Sequence, residues 1–227
     1  MNGLQDNSRE KTLASDSWRI LRIISEFVDG FETMTNIGPS VSIFGSARLP
    51  PESPYYQAAI DVAQHLAKKG FAIITGGGPG IMEAANKGAQ EVNGSSCGIS
   101  IDLPHEYEPN PYIDPSYRLQ FRYFFVRKVM FIRYAQGYVF LPGGYGTLDE
   151  LFEALTLIQT HKIRAFPIYL IGAKYWEGLM DWMKETLIKH ETISPEDLNM
   201  MIITDDPEEV AHGIERHYQR HRTERNF

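Results

Sequence analysis

Six short apolar runs, separated by longer amphipathic stretches, constrain what this chain can fold into. VSIF (41–44), FAIIT (71–75), CGISI (97–101), YVFL (138–141), PIYLI (167–171) and MMIIT (200–204) are short and lack a consistent polar face. A strand with one wet face alternates apolar and polar residues. A run without that alternation is covered on both sides, as in a parallel sheet lying between helices. The intervening stretches have helical periodicity. Ala58, Ile60, Val62, Ala63, Leu66 and Ala67 share a face over 54–69, and a second helix is expected over about 79–92. The fold class is therefore α/β: a doubly wound, Rossmann-like parallel sheet with helices on both faces.

Residues 1–14 are polar and are expected to form a mobile tail. Over 15–36, Trp18, Ile20, Leu21, Ile23, Ile24, Phe27, Val28 and Phe31 recur at helical spacing behind the possible caps Ser15 and Asp16. This reads as an extra N-terminal helix, followed by a single domain over 37–227. Residues 102–117 contain four prolines and are expected to be an irregular rim. The basic C-terminus, from Glu215 to Phe227, reads as a solvated helix end.

No apolar run approaches the ~20 residues of a membrane span, and the N-terminus lacks the apolar core of a secretory signal. A cytoplasmic protein without a membrane partner is the expectation. The single cysteine, Cys97, excludes an internal disulfide and a cysteine-based zinc cage. The histidines form no ligand set, so neither metal nor cofactor is expected. A net charge of −7 argues against nucleic acid as a partner. Any bound anion must be held by local geometry against an unfavourable overall field. The apolar helices at 18–31 and 124–132 hold more apolar surface than one sheet covers, so a homodimer or higher homo-oligomer is expected.

Three strand ends run into glycine: FGSAR (44–48), TGGGPGIME (75–83) and LPGGYGTLDE (141–150). Ligands of open parallel sheets bind at the carboxyl ends of the strands. Glycine there lets backbone N–H groups approach an anion beside a helix N-terminus. Gly76, Gly77, Gly78 and Gly80, with Gly143, Gly144, Gly146 and Thr147, are thus candidate phosphate holders, joined by Gly45 and Ser46. The dinucleotide fingerprint is not met, because Ile81 stands where a glycine is needed, and no P-loop motif occurs.

Two kinds of charged residue accompany these turns. Thr147-Leu148-Asp149-Glu150 fits a capping box, with Thr147 as N-cap and Glu150 reaching back, so Glu150 reads equally as a helix cap and as a functional carboxylate. Glu83 sits comparably after Gly80. Arg127 lies in FRYFFVRKVMFIRYA (121–135), where a guanidinium among apolar residues needs an anionic partner, either a carboxylate or a ligand. Arg122 and Arg133 meet the same description, so spacing alone does not choose among them.

Taken together, GGGPGIMEAANKGA (76–89), RKVMF (127–131) and PGGYGTLDE (142–150) resemble the Lonely Guy (LOG) family, whose hallmark P-G-G-x-G-T-x-x-E is met in full from Pro142 to Glu150. The resemblance covers nearly the whole chain from Val41 onward. It implies hydrolysis of the N-glycosidic bond of a nucleoside 5′-monophosphate, such as a cytokinin riboside monophosphate or AMP, to free base and ribose 5-phosphate. It also implies that Glu150 and Arg127 are catalytic and that Lys128, Glu83 and the 143–147 turn contact the ligand. FGSAR departs from other branches after its glycine, which bears on the phosphate contact by Ser46 and Arg48. Two further readings use the same turns: a non-catalytic carrier of a nucleotide or phosphorylated cofactor, and the pyridoxal phosphate-dependent lysine decarboxylase of the family's older label.

Overall fold

Successive residues of the central strands face opposite helical layers. In β1 (Ser40–Phe44) Val41 and Ile43 enter one core while Phe44 enters the other. In β5 (Ala135–Phe140) Val139 goes to the first side, and Tyr138 and Phe140 to the second. This is why the runs carry no polar alternation. The structure is a computed structural model describing residues 3–102 and 108–221, with side chains from Asp16 onward. Residues 1–2, 103–107 and 222–227, parts of the expected tail, rim and basic terminus, lie outside the described residues.

Seven parallel strands form one sheet. The remaining strands are β2 (Ala72–Thr75), β3 (Ser96–Ile101), β4 (Arg118–Phe121), β6 (Ile168–Leu170) and β7 (Met201–Ile203), and the order is β4-β3-β2-β1-β5-β6-β7. Helices α2 (Pro54–Lys68), α3 (Ile81–Glu91) and α7 (Pro207–His221) cover one face. Helices α1 (Gly3–Met34), α4 (Phe124–Tyr134), α5 (Tyr145–Gln159) and α6 (Ala173–Trp182) cover the other. The chain winds outward from β1 to β4, then returns to β5 on the opposite side of β1. The carboxyl ends of β1 and β5 therefore diverge into a crevice.

The doubly wound expectation holds, and the sequence reading missed one strand. In β4, Leu119 and Phe121 are buried while Arg118 and Gln120 are exposed. Its edge position leaves a wet side, so it shows alternation over only four residues, too short to stand out. Helix α1 continues back to Gly3, through residues read as a tail, so Ser15 and Asp16 are interior positions and not caps.

From Asp16 onward, one stripe of α1 is covered and another is exposed. Ile23, Phe27, Phe31 and Met34 pack into the core, whereas Trp18 is 69% and Ile24 52% exposed. Glu26, between these stripes, accepts hydrogen bonds from the backbone N–H groups of Arg122 (3.1 Å) and Tyr123 (3.3 Å). It thus supplies an acceptor at the N-terminus of α4, where no side chain of α4 caps the helix. Glu26→Ala is expected to lower stability by about 1 kcal/mol, read as a reduced urea midpoint with an unchanged denaturant slope.

Candidate active site

Backbone bonds from Ser46 join the glycine turns. Its N–H donates to Pro142 O and its carbonyl accepts from Ile81 N–H, both at 3.0 Å. The turns after β1, β2 and β5 are thereby held against one another. Gly80 is required at this junction. It has φ +68°, and a Cβ there would lie 2.4 Å from the Ser46 carbonyl oxygen. The Ser46 hydroxyl accepts the Arg48 amide at 3.0 Å, closing its own turn.

A cleft of about 710 Å³ opens above this junction. Of the predicted residues it brings together Gly45, Ser46, Gly76, Arg127, Gly143, Gly144, Gly146, Thr147 and Glu150. Helix α5 starts at the cleft with Gly144 as N-cap and no side-chain cap. The Thr147 amide donates to Gly144 O at 3.0 Å, and the Tyr145 and Gly146 amides before it are available to an anion, reinforced by the helix dipole. A Cβ on Gly143 would fall 2.0 Å from Thr147 Oγ1, so that glycine is what lets the hydroxyl sit under the turn.

Arg127 is mostly buried. Its Nε donates to Ile99 O at 2.9 Å and its guanidinium lies 5.2 Å from the Phe131 ring centroid. Nη2 would be 2.6 Å from a Cβ at Gly76, so Arg127 reaches the second glycine turn directly. Burial lowers its proton affinity while Glu150 and Asp149 oppose that shift. Among the described residues no carboxylate pairs with it within 4.0 Å, which leaves the positive charge for a ligand. Arg122 instead pairs with exposed Asp102 at 3.9 Å, and Arg133 lies 5.3 Å from the Phe31 ring centroid.

Glu150 is not a cap. Helix α5 begins at Tyr145, so Thr147 is a helical residue and Glu150 lies beyond the first turn, in place of the capping box read from the sequence. The side chain points inward and the residue is 5% exposed. Oε1 is 3.6 Å from Lys128 Nζ, and the buried Oε2 has no hydrogen-bond partner. Burial pushes its pKa up to about 7; Lys128 and Arg127 restrain the rise, and Glu153 and Asp149 add to it.

Lys128 does not line the cleft. Its Nζ is 2.8 Å from both Asp149 Oδ2 and Glu153 Oε2. Gly77, Gly78, Gly80 and Glu83 also lie outside the cleft lining. The Gly77 amide is already satisfied by Thr75 Oγ1 at 3.0 Å. Glu83 accepts from the Tyr56 hydroxyl at 3.1 Å. Among the described residues no group of three or more His, Cys, Asp or Glu could hold a metal ion.

A protein-family model described as "Possible lysine decarboxylase" matches residues 82–214, more than half of the chain, including the Arg127 and Glu150 segments. The chain belongs to this family. It is the Lonely Guy family that the motifs resemble. A rice relative named as a probable cytokinin riboside 5′-monophosphate phosphoribohydrolase is 24% identical over 80% of this chain and 72% of its own length. The Escherichia coli K12 pyrimidine/purine nucleotide 5′-monophosphate nucleosidase is 30% identical over 71% of this chain, which spans only 37% of that protein. The molybdenum cofactor carrier protein of Chlamydomonas reinhardtii shares the fold, with a TM-score of 0.54 at 17% identity over 80% of this chain and 99% of that one.

Sequence reasoning missed two asparagines that hold the family's second glycine turn. Asn110 donates from Nδ2 to Gly78 O (3.0 Å) and Asn86 Oδ1 (2.9 Å), and its own amide donates to Gly77 O (2.9 Å). Asn86 in turn donates to Ser96 Oγ at 2.8 Å. The available signal was an amide side chain on the otherwise apolar face of Ala84, Ala85 and Ala89.

The buried carboxylate also has a pH signature. A carboxyl whose pKa rises from its ordinary 4.5 to about 7 on folding holds its proton longer in the native state, so it lowers stability as pH rises across that window. Glu150→Gln is therefore expected to raise stability by about 2–3 kcal/mol at pH 8 and by little at pH 5. Urea unfolding at the two pH values checks this; an equal effect at both would contradict it.

Proposed function

We propose that this protein hydrolyses the N-glycosidic bond of a nucleoside 5′-monophosphate, releasing the free base and ribose 5-phosphate. The observation that carries the reading is the pairing of Glu150, a buried carboxylate with an unsatisfied oxygen, with Arg127, a cation free of carboxylate pairing, in one cleft beside an uncapped glycine-rich helix start. The names of the rice and Escherichia coli relatives support the same chemistry.

The 5′-phosphate is held by the amides at the start of α5 and by Thr147, with Arg127 adding charge from the opposite wall. Breaking the bond between C1′ and the base builds positive charge on the ribose and negative charge on the base. Glu150, ionised, stabilises the ribose charge, orients the attacking water and accepts its proton as the C1′–OH bond forms, and the departing base regains one proton from solvent. Arg127 stays protonated and acts by hydrogen bonding and electrostatics, since a guanidinium does not serve as a proton donor near neutrality. The first step needs Glu150 without its proton, so turnover should rise with pH through about 7.

The decarboxylase label does not fit these residues. Pyridoxal phosphate chemistry requires a lysine to carry the cofactor, and among the described residues no lysine lines the cleft. Lys128 lies nearby. Burial opposes its charge, but the carboxylates of Asp149 and Glu153 more than offset this and keep it protonated, opposite to what a Schiff-base amine needs.

Incubation with AMP is expected to give adenine and ribose 5-phosphate by chromatography, with a loss of at least ~100-fold in Glu150→Gln. Retention of a nucleotide through purification, with no product from any nucleoside monophosphate, would instead identify a carrier.

The exposed stripe of α1, with Trp18, Leu21, Ile24 and Val28, adjoins exposed Phe124 and Phe125 at the start of α4. We assign this face to a second copy of the chain, giving a homodimer. Light scattering should give twice the 25.9 kDa chain mass, and Ile24→Glu should shift the protein toward the monomer.

A further inference from the structure

Lys128 lies behind the cleft, where three carboxylates surround one ammonium. Asp149 and Glu153 each stand 2.8 Å from Nζ, and Glu150 stands at 3.6 Å. The environments of the three differ. The Asp149 and Glu153 side chains are 57% and 31% exposed, while that of Glu150 is 7% exposed. The two wetter carboxylates hold the short contacts, and the buried one receives only the longer. An ammonium has three N–H donors and one charge, so whatever it gives to Asp149 and Glu153 is withheld from Glu150.

We infer that Lys128 and Glu153, with Asp149 at the cleft edge, form a positioning cluster that sets the charge state of Glu150. The inference rests on the reading of Glu150 as the reacting carboxylate. The groups facing Glu150 are few. Helix α4 contributes Arg127 and Lys128, and helix α5 contributes Asp149 and Glu153. Strand β5 contributes the buried Tyr138 hydroxyl, which lacks a hydrogen-bond partner and is kept protonated by burial and by Glu150 and Glu153. Lys128 is thus a lever on Glu150 that ligand binding need not displace, because neither Lys128 nor Glu153 lines the cleft.

The geometry predicts shifts of opposite sign. Without the ammonium, Glu150 faces Asp149 and Glu153 with only Arg127 to favour its charge, and it ionises at higher pH. Without the Glu153 charge, Lys128 is released toward Glu150 and a repelling neighbour is lost, so Glu150 ionises at lower pH. An opposite charge within ~4–6 Å moves a carboxyl by about one to three pH units, and one unit is a tenfold rate change on the acid limb.

The test follows AMP hydrolysis by the full chain from about pH 5 to 9, for the unmodified protein and for Lys128→Met, Glu153→Gln and Lys128→Arg. In parallel, the Glu150 carboxyl is titrated by 13C NMR without ligand, its signal assigned by its loss in Glu150→Gln. Lys128→Met should raise the acid-limb midpoint by about one unit and slow the reaction about tenfold below it, with the alkaline plateau unchanged. Glu153→Gln should lower the midpoint, and Lys128→Arg should restore it. Unmoved midpoints, or shifts of the same sign in Lys128→Met and Glu153→Gln, overturn the inference. If Lys128→Met does not fold, Glu153→Gln decides, and a midpoint that stays or rises overturns it. If neither AMP nor any other nucleoside monophosphate is hydrolysed, the proposed function fails while the carboxyl titration still decides the role of the cluster.

Discussion

Ser46 is bonded through its amide to the turn after β5 and through its carbonyl to the turn after β2. The first of these hydrogen bonds crosses the point where the strand order reverses, between β1 and β5, the second ties in the neighbouring β2 turn, and the cleft depends on both. Parallel strands that diverge to opposite sides of β1 leave a crevice with no side chains to fill it, so backbone must form its floor. Backbone can approach so closely only where Cβ atoms are missing, which is what Gly80 supplies against the Ser46 carbonyl. The Tyr145 and Gly146 amides at the start of α5 are left over at the cleft because their own helix cannot use them.

This floor places a carboxylate where a solvated one would not rest. Glu150 is carried inward by α5 and meets a charged environment that only partly offsets its desolvation. The unsatisfied Oε2 and the buried Tyr138 hydroxyl mark the same region as polar without full pairing. Such a site lowers stability near neutral pH and supplies a proton acceptor there, the usual exchange at a functional centre.

Much of the architecture was legible because its cause is local. Uninterrupted apolar runs require cover on both faces, and helical spacing supplies it, so six strands and the helices on both faces follow from pattern. The strand β4 was hidden because its wet side carries Arg118 and Gln120, which leaves an alternation over only four residues. The reading of 147–150 as a capping box failed for a different reason. Thr-x-x-Glu is compatible with a helix starting at Thr147, but the glycines before it allow the helix to begin at Tyr145, and this turns Glu150 from cap to core. Asn86 and Asn110 escaped notice because their partners come from four segments distant in sequence.

The sequence by itself determined the sheet type, the three glycine turns at strand ends and the family motifs that tie Arg127 to Glu150, since each depends on residues close together along the chain. Only the tertiary structure decided which of Arg122, Arg127 and Arg133 faces the cleft, that no carboxylate among the described residues pairs with it, and that Lys128 serves three acidic side chains on α5. Those facts depend on how α4 and α5 lie against each other. Adjacent residues on a helix diverge by about 100°, so Arg127 lines the cleft while Lys128 meets the carboxylates of α5, a placement that chain order alone does not specify.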